Sequence, residues 1–182
     1  MRHFDETALT YDVLYKEEQE HKINEILKHM TVNGSDVVLD AGCGSGFLLE
    51  HVQKQAGHIV GVDLSKGLLR IAVSRIKQAK IKNISLVQAD FDNLPFREHV
   101  FDEAFALTVL QDSADYNATL KEIIRTTKNN SMLTVTGLKK TFTMKRLKQA
   151  LTEQGLKPDI LDTPEKVKDF IAVCQKCVEE FC

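Results

Sequence analysis

Apolar positions along this chain alternate between two patterns. Short continuous runs at residues 37–39, 58–64, 84–89, 101–109 and 132–138 are rich in aliphatic side chains and lack polar alternation, which predicts strands covered on both faces. Between them, residues 47–55, 66–76, 116–127 and 143–154 carry apolar side chains at helical spacing. Ser65 is placed to cap the second of these helices, and Gly57 and Gly155 follow the ends of two others. The tail predicts two more short strands, 157–161 and 170–173, joined by a turn or helix opened by Pro164. Repeated strand-then-helix units of this kind imply a parallel, doubly wound α/β sheet. The first thirty residues differ, being polar with scattered aromatics and a helical run over 17–30. They are expected to form a helical cap, residues 1–30, lying across the strand ends of a body formed by residues 31–182, where such sheets hold their ligands.

The first strand leads into Asp40-Ala-Gly-Cys-Gly-Ser-Gly46, an acid followed by three alternating glycines. Gly42, Gly44 and Gly46 allow a tight turn and a close approach to a ligand that a Cβ would obstruct. The dinucleotide fingerprint G-x-G-x-x-G would need a glycine where Phe47 stands. A carboxylate before the loop also repels a pyrophosphate, whereas it suits a ligand carrying an ammonium or sulfonium. Asp63, at the end of the second strand and about twenty residues beyond the loop, is positioned to accept both hydroxyls of a ribose.

At the glycine loop the chain resembles the class I S-adenosylmethionine-dependent methyltransferases. The resemblance extends to Asp90 and Phe91 in Gln-Ala-Asp-Phe-Asp-Asn-Leu-Pro-Phe, and to Val-Phe-Asp-Glu-Ala at residues 100–104, which look like the subgroup that includes ubiquinone and menaquinone methyltransferases. It implies a Rossmann-like, doubly wound, seven-stranded and mostly parallel sheet with an antiparallel strand near the C-terminus. It also implies S-adenosyl-L-methionine as cofactor, with Asp90 on the adenine amino group and the Phe91 backbone against the ring. The N-terminal Phe4-Asp5-x-x-Ala8-x-x-Tyr11-Asp12 is similar to a segment that folds over the cofactor, bringing Tyr11 to the methionine carboxylate with Tyr15 nearby. Leu64 and Leu107, ending the second and fourth strands, complete the expected cofactor wall. Asp92 and Asp102 read as turn residues.

A length of 182 residues suits one domain with a full core. The formal net charge of -2 gives no general attraction to nucleic acid, and Lys139, Lys140, Lys145, Arg146 and Lys148 read as a solvated helix face. No apolar run approaches a membrane span and the start is unlike a signal peptide, so a cytoplasmic location is expected. Cys174 and Cys177 form a single C-x-x-C without a second pair, which is a poor metal signal; in a strand they would face opposite sides. No metal site is expected.

Methyl transfer from a sulfonium is an in-line displacement with an excellent leaving group, so a positioned, desolvated acceptor needs little further help. Accordingly, the chain shows a donor site more clearly than a catalytic group. Asp112, beyond the fourth strand, is the best candidate base, with Gln111 beside it to orient an acceptor; His3 and His99 read as surface residues. The Asn/Asp-Pro-Pro-Tyr/Phe signature for planar amines is missing after the fourth strand, and Asp112, Asp115 and Asn117 read as a loop and helix cap. The short tail suggests an open cleft, favouring a protein or other macromolecular acceptor, or a partner subunit that completes the pocket. The alternatives are a non-catalytic binding subunit that keeps the fold, and a nucleotide-cofactor oxidoreductase that Asp63 alone would permit.

Overall fold

The computed structural model describes residues 17–177. After a helix over residues 17–27 (α1), strands and helices alternate: β1 (Val37–Ala41), α2 (Phe47–Val52), β2 (His58–Asp63), α3 (Lys66–Gln78), β3 (Ile84–Gln88), β4 (Phe101–Ala106), α4 (Tyr116–Thr126), β5 (Thr127–Leu138), α5 (Met144–Glu153), β6 (Leu156–Ile160) and β7 (Asp169–Lys176). The strands form one seven-stranded sheet in the order β3-β2-β1-β4-β5-β7-β6. Pairings from β3 through β5 are parallel, and β7 runs antiparallel to both of its neighbours. The expected mostly parallel sheet with its antiparallel strand near the C-terminus is therefore present.

The unbroken apolar runs follow from burial on both faces. Val38 packs with Ile23, Ile26, Leu48, Leu49 and Phe105 on one side of the sheet. Its neighbour Leu39 packs with Leu120, Ile123, Leu147 and Leu151 on the other. Because successive strand residues point to opposite faces, both positions of β1 must be apolar. Three helices begin on hydroxyl or carboxylate caps: Ser65 Oγ accepts from Leu68 N–H, Thr143 Oγ1 from Arg146 N–H, and Asp115 Oδ1 from Asn117 and Ala118 N–H.

Several boundaries depart from the sequence pattern for local reasons. β4 stops at Ala106, not at residue 109, because Thr108 adopts φ 59° and breaks the extended run. β5 starts at Thr127, five residues early, through a polar and largely exposed stretch with no apolar signature. Asp102 is no turn residue: it lies inside β4, where its carboxylate accepts from Val37 N–H at 3.0 Å and Lys128 Nζ at 2.6 Å. Asp92 does sit in a turn, and its carboxylate accepts from the hydroxyls of Thr119 and Ser113, tying the segment after β3 to α4. Arg125 fastens the same segment, donating to the carbonyls of Phe96 and Leu94 while bridging Glu122.

Cys43, Cys174 and Cys177 are free thiols, and burial pushes that of Cys174 up to about 12. In the basic cluster, Arg146 stacks 5.5 Å from the rings of Tyr116 and Phe142, and Lys139 Nζ donates to Val167 O at 2.8 Å. Lys140, Lys145 and Lys148 are exposed.

Candidate active site

The strand order reverses between β1 and β4, so the connections leaving these two strands diverge and open a crevice at their carboxyl ends. The glycine loop forms its floor. Gly42, Gly44 and Gly46 take φ of 80°, 54° and 87°, the left-handed region that disfavours other residues. At Gly42 a Cβ would lie 2.4 Å from Val109 Cγ2, so side-chain absence there is required by space as well as backbone. The loop is pinned to β2 by bonds from Gly42 and Cys43 N–H to Val62 O, at 2.8 and 2.9 Å.

Asp63 is braced from two sides, accepting from Gly44 N–H on one oxygen and Ser65 N–H on the other, each at 2.8 Å. This bracing orients Asp63 in the cavity wall, and a carboxylate oxygen can accept from more than one donor. Asp40 differs. It is only 2% exposed, and its Oδ2 has no hydrogen-bond partner among the described residues. Burial, reinforced by the nearby charge of Asp63, pushes its carboxyl up to about 8. A buried carboxyl left without a partner at a cavity wall is the acceptor that a cationic ligand satisfies.

These groups surround a cavity of about 240 Å³. Of the residues singled out in the sequence, Asp40, Gly42, Gly44, Asp63, Leu64, Phe91, Leu107 and Asp112 line it. Gly46 instead starts α2, and Asp90 is exposed, its Oδ1 accepting from Asp92 N–H at 3.0 Å. Neither belongs to the wall. Tyr11, Tyr15, His3 and the Phe4 to Asp12 motif lie outside the described residues. Asp112 sits at the rim with its carboxyl raised by burial, a shift partly opposed by Gln111 and Lys140.

Part of the wall was not foreseen. Gln19 and Ile23, one helical turn apart on α1, cover the cavity, and Leu68, Thr108 and Val109 close its sides. The spacing of Gln19 and Ile23 was a usable signal, since residues four apart share a helix face. Among the described residues no group of three or more His, Cys, Asp or Glu side chains is arranged to hold a metal ion, and no helix is long and apolar enough to cross a membrane.

The fit is open to a direct check. Gly42→Ala is expected to drive Val109 into the cavity and weaken binding of S-adenosylhomocysteine at least tenfold in calorimetric titration. Gly44→Ala, where a Cβ meets nothing within 4 Å, should cost less, through the backbone alone.

Known proteins resemble the chain along most of its length. The model of a methyltransferase domain family matches residues 33–179. Demethylmenaquinone methyltransferase from Staphylococcus saprophyticus is 33% identical over 120 residues, covering 63% of this chain and 51% of that protein. The enzyme of the same name from Oceanobacillus iheyensis is 30% identical, covering 60% and 48%. The chain thus spans about half the length of these relatives. In fold, a SAM-dependent methyltransferase from Aquifex aeolicus superposes with a TM-score of 0.82 at 15% identity, over 94% of this chain and 98% of that one. A methyltransferase in complex with the Haloferax volcanii Trm112 methyltransferase activator gives 0.80 at 20% identity, over 96% and 98%. The family match, joined to the glycine loop and the two acids that flank its cavity, shows that this chain belongs to the class I S-adenosylmethionine-dependent methyltransferases.

Proposed function

We propose that this chain transfers a methyl group from S-adenosylmethionine to a small, apolar acceptor. The observation that carries the donor half is the buried Asp40 carboxyl, whose Oδ2 has no hydrogen-bond partner among the described residues, beside a braced Asp63, a pairing that suits a ligand with a cationic methionine end and a ribose. In this reading Asp63 holds the ribose hydroxyls and the glycine loop admits the ligand close to the backbone. Leu64, Phe91 and Leu107 flank the adenosine. Bound there, S-adenosylmethionine supplies an electrophilic methyl group.

For the acceptor, the short tail favoured a macromolecule, but the relatives are named for a small molecule, demethylmenaquinone. An apolar acceptor is supported by Ile23, Phe47, Leu68 and Val109, apolar residues of the cavity outside the set that flanks the adenosine. Apolar walls strip water from a nucleophile, which raises its reactivity toward a sulfonium. Asp112 at the rim is placed to take a proton from an acceptor hydroxyl or carbon acid, its raised carboxyl moving it toward the range of a useful base.

The test is transfer of labelled methyl groups into a cell lysate divided into protein, RNA and organic-extractable fractions. Label in the organic extract is expected; label confined to protein or RNA would overturn the acceptor assignment. No label in any fraction, with S-adenosylhomocysteine still bound, would favour a non-catalytic binding subunit.

A further inference from the structure

Behind the cavity wall lies a buried ion pair that the donor site does not explain. Lys22 of α1 and Asp169, the first residue of β7, are both fully buried, with Nζ 2.5 Å from Oδ2. Lys22 Nζ also donates to Thr108 Oγ1 at 2.7 Å, and Thr108 lines the cavity. Thr108 is itself unusual: a β-branched residue at φ 59°, a conformation costly enough to persist only where its surroundings fix it. Those surroundings are specific. Its N–H donates to Thr136 Oγ1 at 2.7 Å, and its carbonyl accepts from Gln111 Nε2.

Two elements far apart in sequence, α1 through Lys22 and β5 through Thr136, therefore converge on one strained residue of the wall, and β7 backs the first of them through Asp169. Burying a lysine and an aspartate is expensive, and packed apolar side chains serve stability as well or better, so stability alone does not account for the pair. Lys22 lies on α1 between Gln19 and Ile23, the two residues by which that helix covers the cavity. Exposed contacts along the same seam, Lys168 with Glu18 at 2.8 Å and Lys166 with His21 at 3.0 Å, contribute little by comparison.

We propose that Lys22 is a positioning residue: held by Asp169 and bonded to Thr108, it clamps α1 over the cavity and fixes the wall after β4, so that bound cofactor is retained. The proposal rests on the reading of this cavity as the S-adenosylmethionine site. Its test replaces both charges at once, Lys22→Met with Asp169→Leu, so that no lone charge is left buried. Binding and dissociation of S-adenosylhomocysteine are then measured by calorimetry and stopped flow, with hydrogen exchange followed across α1.

The expected result is an affinity at least tenfold weaker through faster dissociation, with exchange accelerated in α1 and little change in thermal midpoint. Affinity within twofold of the parent chain would overturn the proposal. If the double variant does not fold, Thr108→Val removes the hydroxyl and leaves the ion pair; dissociation at least threefold faster is expected, and an unchanged rate overturns the proposal. Failure of the unaltered chain to bind S-adenosylhomocysteine would instead count against the cofactor reading.

Discussion

Asp63→Ala is expected to weaken S-adenosylhomocysteine binding about a hundredfold or more, the largest loss of any single replacement in the wall. Removing the carboxylate takes away the ligand's ribose acceptor and frees the N–H groups of Gly44 and Ser65, which it now braces at 2.8 Å each. Hydrogen bonds to a charged group contribute roughly 1.5 to 3 kcal/mol apiece, so losing two toward a ligand accounts for ~3 kcal/mol or more. Disorder introduced into the glycine loop adds to that loss. Asp90→Ala provides the contrast. Its carboxylate is exposed and turned to Asp92 N–H, so the structure leads us to expect a change below threefold. A tenfold loss at Asp90 would restore the adenine contact that the family resemblance implies. Calorimetric titration of the two variants side by side decides the matter.

The second large effect concerns protons. In the cavity without ligand, the Asp40 carboxyl titrates at about 8 and is mostly neutral at pH 7. A cationic ligand favours its ionised form, so binding at pH 7 should release close to one proton. Titrations in buffers of different ionisation enthalpy will show this as a buffer-dependent heat. The sign for affinity follows: binding of S-adenosylmethionine strengthens as pH rises toward 8, by at most about tenfold per unit, and levels off above it. Asp40→Asn, which keeps the shape and cannot ionise, should abolish both the proton release and the slope. Stability of the ligand-free chain runs the opposite way. Asp40 and Glu103 are both pushed up to about 8, chiefly by burial, so between the ordinary carboxylate range and pH 8 the unfolded chain binds fewer protons than the folded one. The thermal midpoint without ligand should therefore fall over that interval, while added cofactor offsets the fall.

Much of this site was legible in the sequence because its parts are contiguous or separated by one strand-helix unit. Asp40 and the glycines announce a strand-to-loop transition by their order alone, and Asp63 follows at the end of the next strand. What stayed hidden depends on contacts between distant segments. Nothing in the local pattern of Thr108 reveals its left-handed backbone, since the partners that hold it come from Lys22 and Thr136. Asp102 looked like a turn residue because acids are rare in strands; it is accommodated near the start of β4 by Val37 N–H and Lys128. Asp90 is a related case. Sequence identifies the residue after the strand, but the turn that Asp90 itself caps decides where its side chain points.

The antiparallel course of β7 has a consequence for how this scaffold can vary. A parallel strand delivers its last residue to the ligand rim, but β7 runs the other way and delivers its first, Asp169, beside Leu138 at the end of β5. The segment over residues 161–168 therefore opens onto the same rim as the loops following β1, β2 and β4. It already meets α1 through Lys166 and Lys168. The turn between α5 and β6 at Gly155 lies at the opposite end of the sheet. Insertions in residues 161–168 would thus build onto that rim, whereas insertions at Gly155 would fall at the far end of the sheet, which makes the 161–168 segment the place to graft a new substrate preference.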